Sequence, residues 1–102
     1  MNQRTGLTPE STQKFAFTGS AARTTDPIST KGDGVVLVRL WASTDCHVSA
    51  GPGTPSATTS DIPLSAGVPE FFLWPGSWKV SAIRQTADGS LWVTTCRSGS
   101  EG

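Results

Sequence analysis

The residues with the greatest capacity for nucleophilic or metal chemistry are the single histidine, His47, and the cysteines Cys46 and Cys96. A thiol nucleophile needs a base within hydrogen-bond reach. Cys46 and His47 are adjacent, and neighbours on an extended strand point to opposite faces, so these two should not form a dyad. Cys96 with His47 is the remaining combination, but no nucleophile motif surrounds Cys96. A metal site would have to combine Asp45, His47 and both cysteines, whose spacing matches neither a CxxC pair nor an HxxxH set. Carboxylate pairs for acid–base work could be drawn from Asp61 with Glu70 or Asp26 with Asp33. In a loop-rich chain such pairs arise by chance and read as solvated. Gly51-Pro52-Gly53 lacks the helix and Lys that a phosphate cradle requires. The expectation is a protein that is not an enzyme and that needs no metal or cofactor.

The aromatic residues carry more information. The chain has four Trp and four Phe but no Tyr, and Phe71, Phe72, Trp74 and Trp78 fall close together. Alternation along a strand sends Phe71 and Leu73 one way and Phe72 and Trp74 the other, so both faces of that strand should be covered. Either all of these residues join the core, or a subset lies in an interface, where Trp and Phe are enriched. In the second case the candidate partner contacts are Leu7, Phe71, Phe72, Trp74 and Trp78. Exposed Trp could alternatively stack on sugar rings, as in a carbohydrate-binding module.

The elements that must position these residues are strands. Val35-Val36-Leu37-Val38-Arg39-Leu40-Trp41 has one polar residue and frequent β-branching, the composition of a central buried strand. Gln13 to Thr18 alternates with Phe15 and Phe17 inward, and Pro27 limits any strand around Asp26 to Thr30 to an edge. Cys46 to Ala50 places Cys46, Val48 and Ala50 on one face, Ile62 and Leu64 anchor a short strand, and Glu70 to Trp74 is a second apolar run. Trp78 to Ile83 and Ser90 to Cys96 read as a hairpin, with Asp88-Gly89 supplying the turn. No apolar pattern of helical period persists. The fold expected is all-β, a small β-sandwich or jelly-roll-like barrel of about 7 to 8 short strands. Residues 1–13 read as an extended N-terminal arm, 14–97 as the domain and 98–102 as a flexible tail.

Length and charge narrow the class further. At 102 residues this is one domain with little stability margin, so partner chains would help it. The formal net charge is zero and charged residues are 16%, below the average of about 25%. The eight Lys and Arg are scattered singly, which argues against a nucleic-acid or anionic-membrane surface. No secretory h-region or membrane span is apparent, so synthesis in a reducing cytoplasm is expected. Cys46 and Cys96 then read as buried thiols, with a disulfide as the alternative.

Ala42-Ser43-Thr44-Asp45-Cys46-His47-Val48-Ser49-Ala50-Gly51, followed by Pro55-Ser56-Ala57-Thr58-Thr59-Ser60-Asp61-Ile62-Pro63-Leu64-Ser65-Ala66-Gly67-Val68-Pro69-Glu70-Phe71-Phe72, resembles a group of short tailed-bacteriophage proteins. Trp74-Pro75-Gly76, Lys79-Val80-Ser81-Ala82-Ile83 and Gly89-Ser90-Leu91-Trp92-Val93-Thr94 extend the likeness, which spans residues 35 to 96 in order and spacing. The resemblance implies a virion structural protein with no catalytic motif; Trp74, Trp78 and Trp92 are bulkier than it leads one to expect. The function expected is a homo-oligomeric capsid decoration or cement protein, made in the host cytoplasm and bound through the major capsid protein to the outer shell of the virion. A head–tail connector or tail accessory protein is the first alternative, and a carbohydrate-binding module for host attachment the second.

Overall fold

The computed structural model describes residues 7–29 and 34–98. They form eight strands: β1 (Leu7–Phe17), β2 (Ala22–Arg23), β3 (Val35–Ala42), β4 (Cys46–Gly51), β5 (Ile62–Leu64), β6 (Glu70–Pro75), β7 (Lys79–Arg84) and β8 (Gly89–Ser98). Two antiparallel four-stranded sheets result, ordered β1-β8-β3-β6 and β2-β7-β4-β5. The pairs β4·β5, β3·β6, β2·β7 and β1·β8 are nested, as in one long hairpin rolled onto itself. This is the strand order of a jelly roll, and it makes the domain the small β-sandwich expected. Of the connections, that between β4 and β5 alone joins neighbours within one sheet; every other one crosses between sheets.

Alternation fixes which residues fill the sandwich. Phe17, Val38, Leu40, Leu91 and Val93 from one sheet meet Cys46, Val48, Leu64, Val80 and Ala82 from the other, and each is almost wholly buried. A large apolar side chain buried in this way contributes about 1.5–3 kcal/mol. Phe15, Phe72, Trp74 and Trp78 pack against the rim of this core.

One end of the sandwich is tied by its corners. The Asp45 carboxylate accepts the Ala66 N–H at 2.8 Å, and Gly67 donates its N–H to the Ala42 carbonyl at 2.8 Å. Gly67 has φ 74°, the left-handed value the Ser65–Val68 turn requires. The short corner after β3 therefore holds the turn before β6.

Three expectations are corrected. Residues 7 to 13 are not an arm: β1 starts at Leu7 and pairs antiparallel with β8, with one register shift between Pro9 and Ser11, because β8 offers its backbone groups partners there; residues 1–6 lie outside the described residues, as do Asp33 and residues 99–102 of the expected tail, whereas Ser98 still belongs to β8. The hairpin of Trp78 to Ile83 with Ser90 to Cys96 does not form: β7 lies between β2 and β4, and β8 between β1 and β3. An arch between two sheets carries the same local turn chemistry as a hairpin within one. The edge strand falls at Ala22–Arg23, upstream of Pro27, and the chain then follows β7 irregularly through Thr24 N–H to Val80 O at 2.9 Å and Ile28 N–H to Trp78 O at 2.7 Å.

Candidate functional site

The outer faces of the two sheets differ. On the β2-β7-β4-β5 sheet, the long connection from β4 to β5 folds back as a roof. Ser81, outward on β7 and fully buried, accepts the Ala57 N–H at 2.9 Å and donates to the Ala22 carbonyl at 2.7 Å. Arg23 Nε donates to the Pro55 carbonyl at 3.1 Å, and Asp61 closes the loop by accepting the Thr58 N–H at 2.7 Å. His47 is also outward here. Its Nδ1 pairs with the Asp61 carbonyl at 3.2 Å, and its Nε2 lies against the Gln85 side-chain amide. The polar side chains around it are thus engaged in holding turns.

Nothing in the chain roofs the β1-β8-β3-β6 sheet among the described residues. Among the residues whose side chains are described, its outward positions, read from the register, are Thr12, Lys14 and Ala16 on β1, Ser90, Trp92, Thr94 and Cys96 on β8, Val35, Leu37, Arg39 and Trp41 on β3, and Phe71, Leu73 and Pro75 on β6. Val35, Phe71 and Leu73 are 62%, 45% and 69% exposed. A contiguous apolar face that remains in water marks an interaction surface. It adjoins β6, which has a sheet neighbour on one side only and so presents an open strand edge.

Beside these aliphatic side chains lies a shallow groove of about 400 Å³ lined by Thr12, Arg39, Trp41, Trp92 and Thr94. Trp41 and Trp92, paired across β3 and β8, meet edge to face with centroids 5.1 Å apart at 73°. Lys14 Nζ sits 5.0 Å from the centre of the Trp92 ring, a cation–π contact that caps it. The Thr12 and Thr94 hydroxyls share a hydrogen bond of 3.0 Å.

The candidate partner contacts fall in different places. Phe71 stands on the open face, whereas Phe72 and Trp74 turn inward and stack at 4.6 Å and 10°, and Trp78 packs against the core rim. Leu7 heads β1 opposite Ser98. The expectation that both faces of the Glu70 to Trp74 strand are covered is corrected for the chain by itself: Phe71 and Leu73 stay exposed because no described segment crosses the outer face of this sheet. Leu73, Val35, Trp41 and Trp92 share the open face with Phe71 but are not among those candidates. Alternation already places Leu73 with Phe71, but joining Trp41 to Trp92 requires the β3–β8 register.

The residues with nucleophilic capacity are separated. Cys46 faces the core, Cys96 lies outward on β8 yet buried, and His47 lies outward on the other sheet. Both cysteines remain thiols, as expected. Burial, then the neighbouring Asp45 charge, pushes the Cys46 thiol up from 9.0 to about 11, away from thiolate chemistry. Among the described residues no group of three His, Cys, Asp or Glu is placed to hold a metal ion.

No family model matches the chain, and no curated protein or solved structure matches it at significance.

Proposed function

We propose that the chain is a structural protein of a tailed-bacteriophage virion, a decoration or cement protein that binds the major capsid protein on the outer shell through the open face of its β1-β8-β3-β6 sheet. The observation that carries the reading is the asymmetry between the sheets: one face is roofed by the chain's own β4–β5 connection, while the other leaves Val35, Phe71 and Leu73 in water. The resemblance over residues 35 to 96 supplies the class of partner. The mechanism is passive stapling. Each apolar side chain covered on docking adds up to about 1.5–3 kcal/mol before the costs of association, and many copies summed over a shell stiffen it. A net charge of zero lets copies lie side by side without repulsion. Self-association would use the open edge of β6.

A saccharide-binding role is less well supported, because Lys14 caps Trp92 and the two Trp rings stand at 73°, not as one coplanar platform. The test is the number of copies per purified particle, by quantitative mass spectrometry, together with reconstitution of Leu73→Ser onto shells stripped of the protein. Copies in proportion to shell subunits, and loss of binding in the variant, are expected. A small fixed ring of copies would move the protein to the neck or tail, and absence from the particle would sink the reading.

A further inference from the structure

Building on the reading of the open sheet as a protein-docking face, we infer that the contact is specified by a carboxylate: the groove at Arg39 receives an Asp or Glu side chain of the partner, flanked by apolar residues. Arg39 is half-buried in the centre of the face and makes no hydrogen bond or ion pair with any described residue. Covering it with an apolar partner would strand a desolvated guanidinium, which is heavily penalised, whereas a carboxylate satisfies two of its donors in parallel. Among the outward positions whose side chains are described, the cations are Arg39 and Lys14 and there is no acid, so a carboxylate of the partner supplies the complementary charge.

The lining suits that ligand. The Thr12 and Thr94 hydroxyls use one of their two protons on each other, leaving the other to donate to an incoming oxygen. Trp41 and Trp92 exclude water on one side of the groove, which strengthens the ion pair. On the other, Phe71 lies opposite Arg39 in the β3–β6 register, with Leu73 opposite Leu37. The occupant is therefore a protein segment and not a sugar acid, since Val35, Phe71 and Leu73 would otherwise stay exposed.

The test uses the full chain and arrays of short synthetic peptides in which a central Asp, or Asn in the matched set, is flanked by Leu, Val and Phe, with Trp emission as the readout. Asp peptides should bind roughly tenfold to a hundredfold more tightly than their Asn counterparts. Arg39→Gln should erase that preference while keeping the fold by circular dichroism, and Arg39→Lys should restore part of it. Equal affinity for Asp and Asn peptides, or no binding of any Asp peptide, overturns the inference, as does binding of glucuronic-acid oligosaccharides in their place. Retained shell binding by Leu73→Ser, by contrast, overturns the docking reading on which it rests.

Discussion

The Ser81 hydroxyl accepts the Ala57 N–H at 2.9 Å from the connection that crosses over it, and this contact helps pin that connection to the β2-β7-β4-β5 sheet as its roof. Ser81 also donates to the Ala22 carbonyl at 2.7 Å, so a single buried hydroxyl ties β7, β2 and the roof together. Ser81→Ala leaves a donor and an acceptor unsatisfied at once. A loss of about 1–3 kcal/mol in urea unfolding is expected, with the slope unchanged. Unaltered stability would mean that the roof is held by its other contacts.

Gly89 begins β8 where the chain passes between sheets. A Cβ there collides with Thr44 Oγ1 and approaches Ser43 Oγ to 2.9 Å and the Phe17 ring to 3.0 Å. Neither hydroxyl yields easily, since Thr44 donates to the Ala87 carbonyl at 3.1 Å and Ser43 accepts the Ser90 N–H at 2.9 Å. Gly89→Ala should therefore destabilise by about 1–3 kcal/mol. Each kcal/mol lowers the melting temperature of a domain this size by about 4–8 °C, which differential scanning calorimetry resolves.

Cys46 sets an alkaline limit. Its folded-state pKa is raised from 9.0 to about 11 by burial and by Asp45, so its contribution is fully present below pH 9 and is lost as pH rises towards 11. The full difference amounts to roughly 2–3 kcal/mol. Cys46→Ala should flatten that part of the stability–pH curve, measured by chemical denaturation at successive pH values. Alkylation of Cys46 by iodoacetamide at pH 8 should be slow in the folded protein and fast in urea.

Leu73 contributes little inside the chain because it is 69% exposed. Leu73→Ser and Val35→Thr should each change unfolding free energy by less than about 0.5 kcal/mol. Their effect should instead appear in binding to the shell, with a loss of about 1–2 kcal/mol for Leu73→Ser. Equal binding by wild type and variants would remove this face as the contact.

The site was only partly legible before the fold was known. Phe71 is readable as an interface candidate from its place in an aromatic run, and alternation links Leu73 to it. Arg39 stands out merely as the polar residue of an apolar strand. That it lies in a groove beside Trp41, Trp92, Thr12 and Thr94 depends on β8 lying between β1 and β3, a pairing of residues some 80 positions apart between Thr12 and Thr94. Phe72, Trp74 and Trp78 show the opposite case, being equally conspicuous in the sequence and yet packed against the core.

What the chain's residues determine by themselves is local. Two-residue alternation and Gly, Pro and Asp at the breaks fix where most strands lie and which of their faces is apolar, since these depend on φ/ψ preferences and side-chain direction within a few residues. They determine the all-β class for the same reason. Which strands become neighbours is decided only in the tertiary structure, because the ladder hydrogen bonds carry no sequence label and the choice rests on joint burial of both sheets. Hence β7 and β8, which look like a hairpin, separate into different sheets, residues 7 to 13 become strand by gaining β8 as partner, and the sheet that receives no roof from the described residues keeps Val35, Phe71 and Leu73 in water.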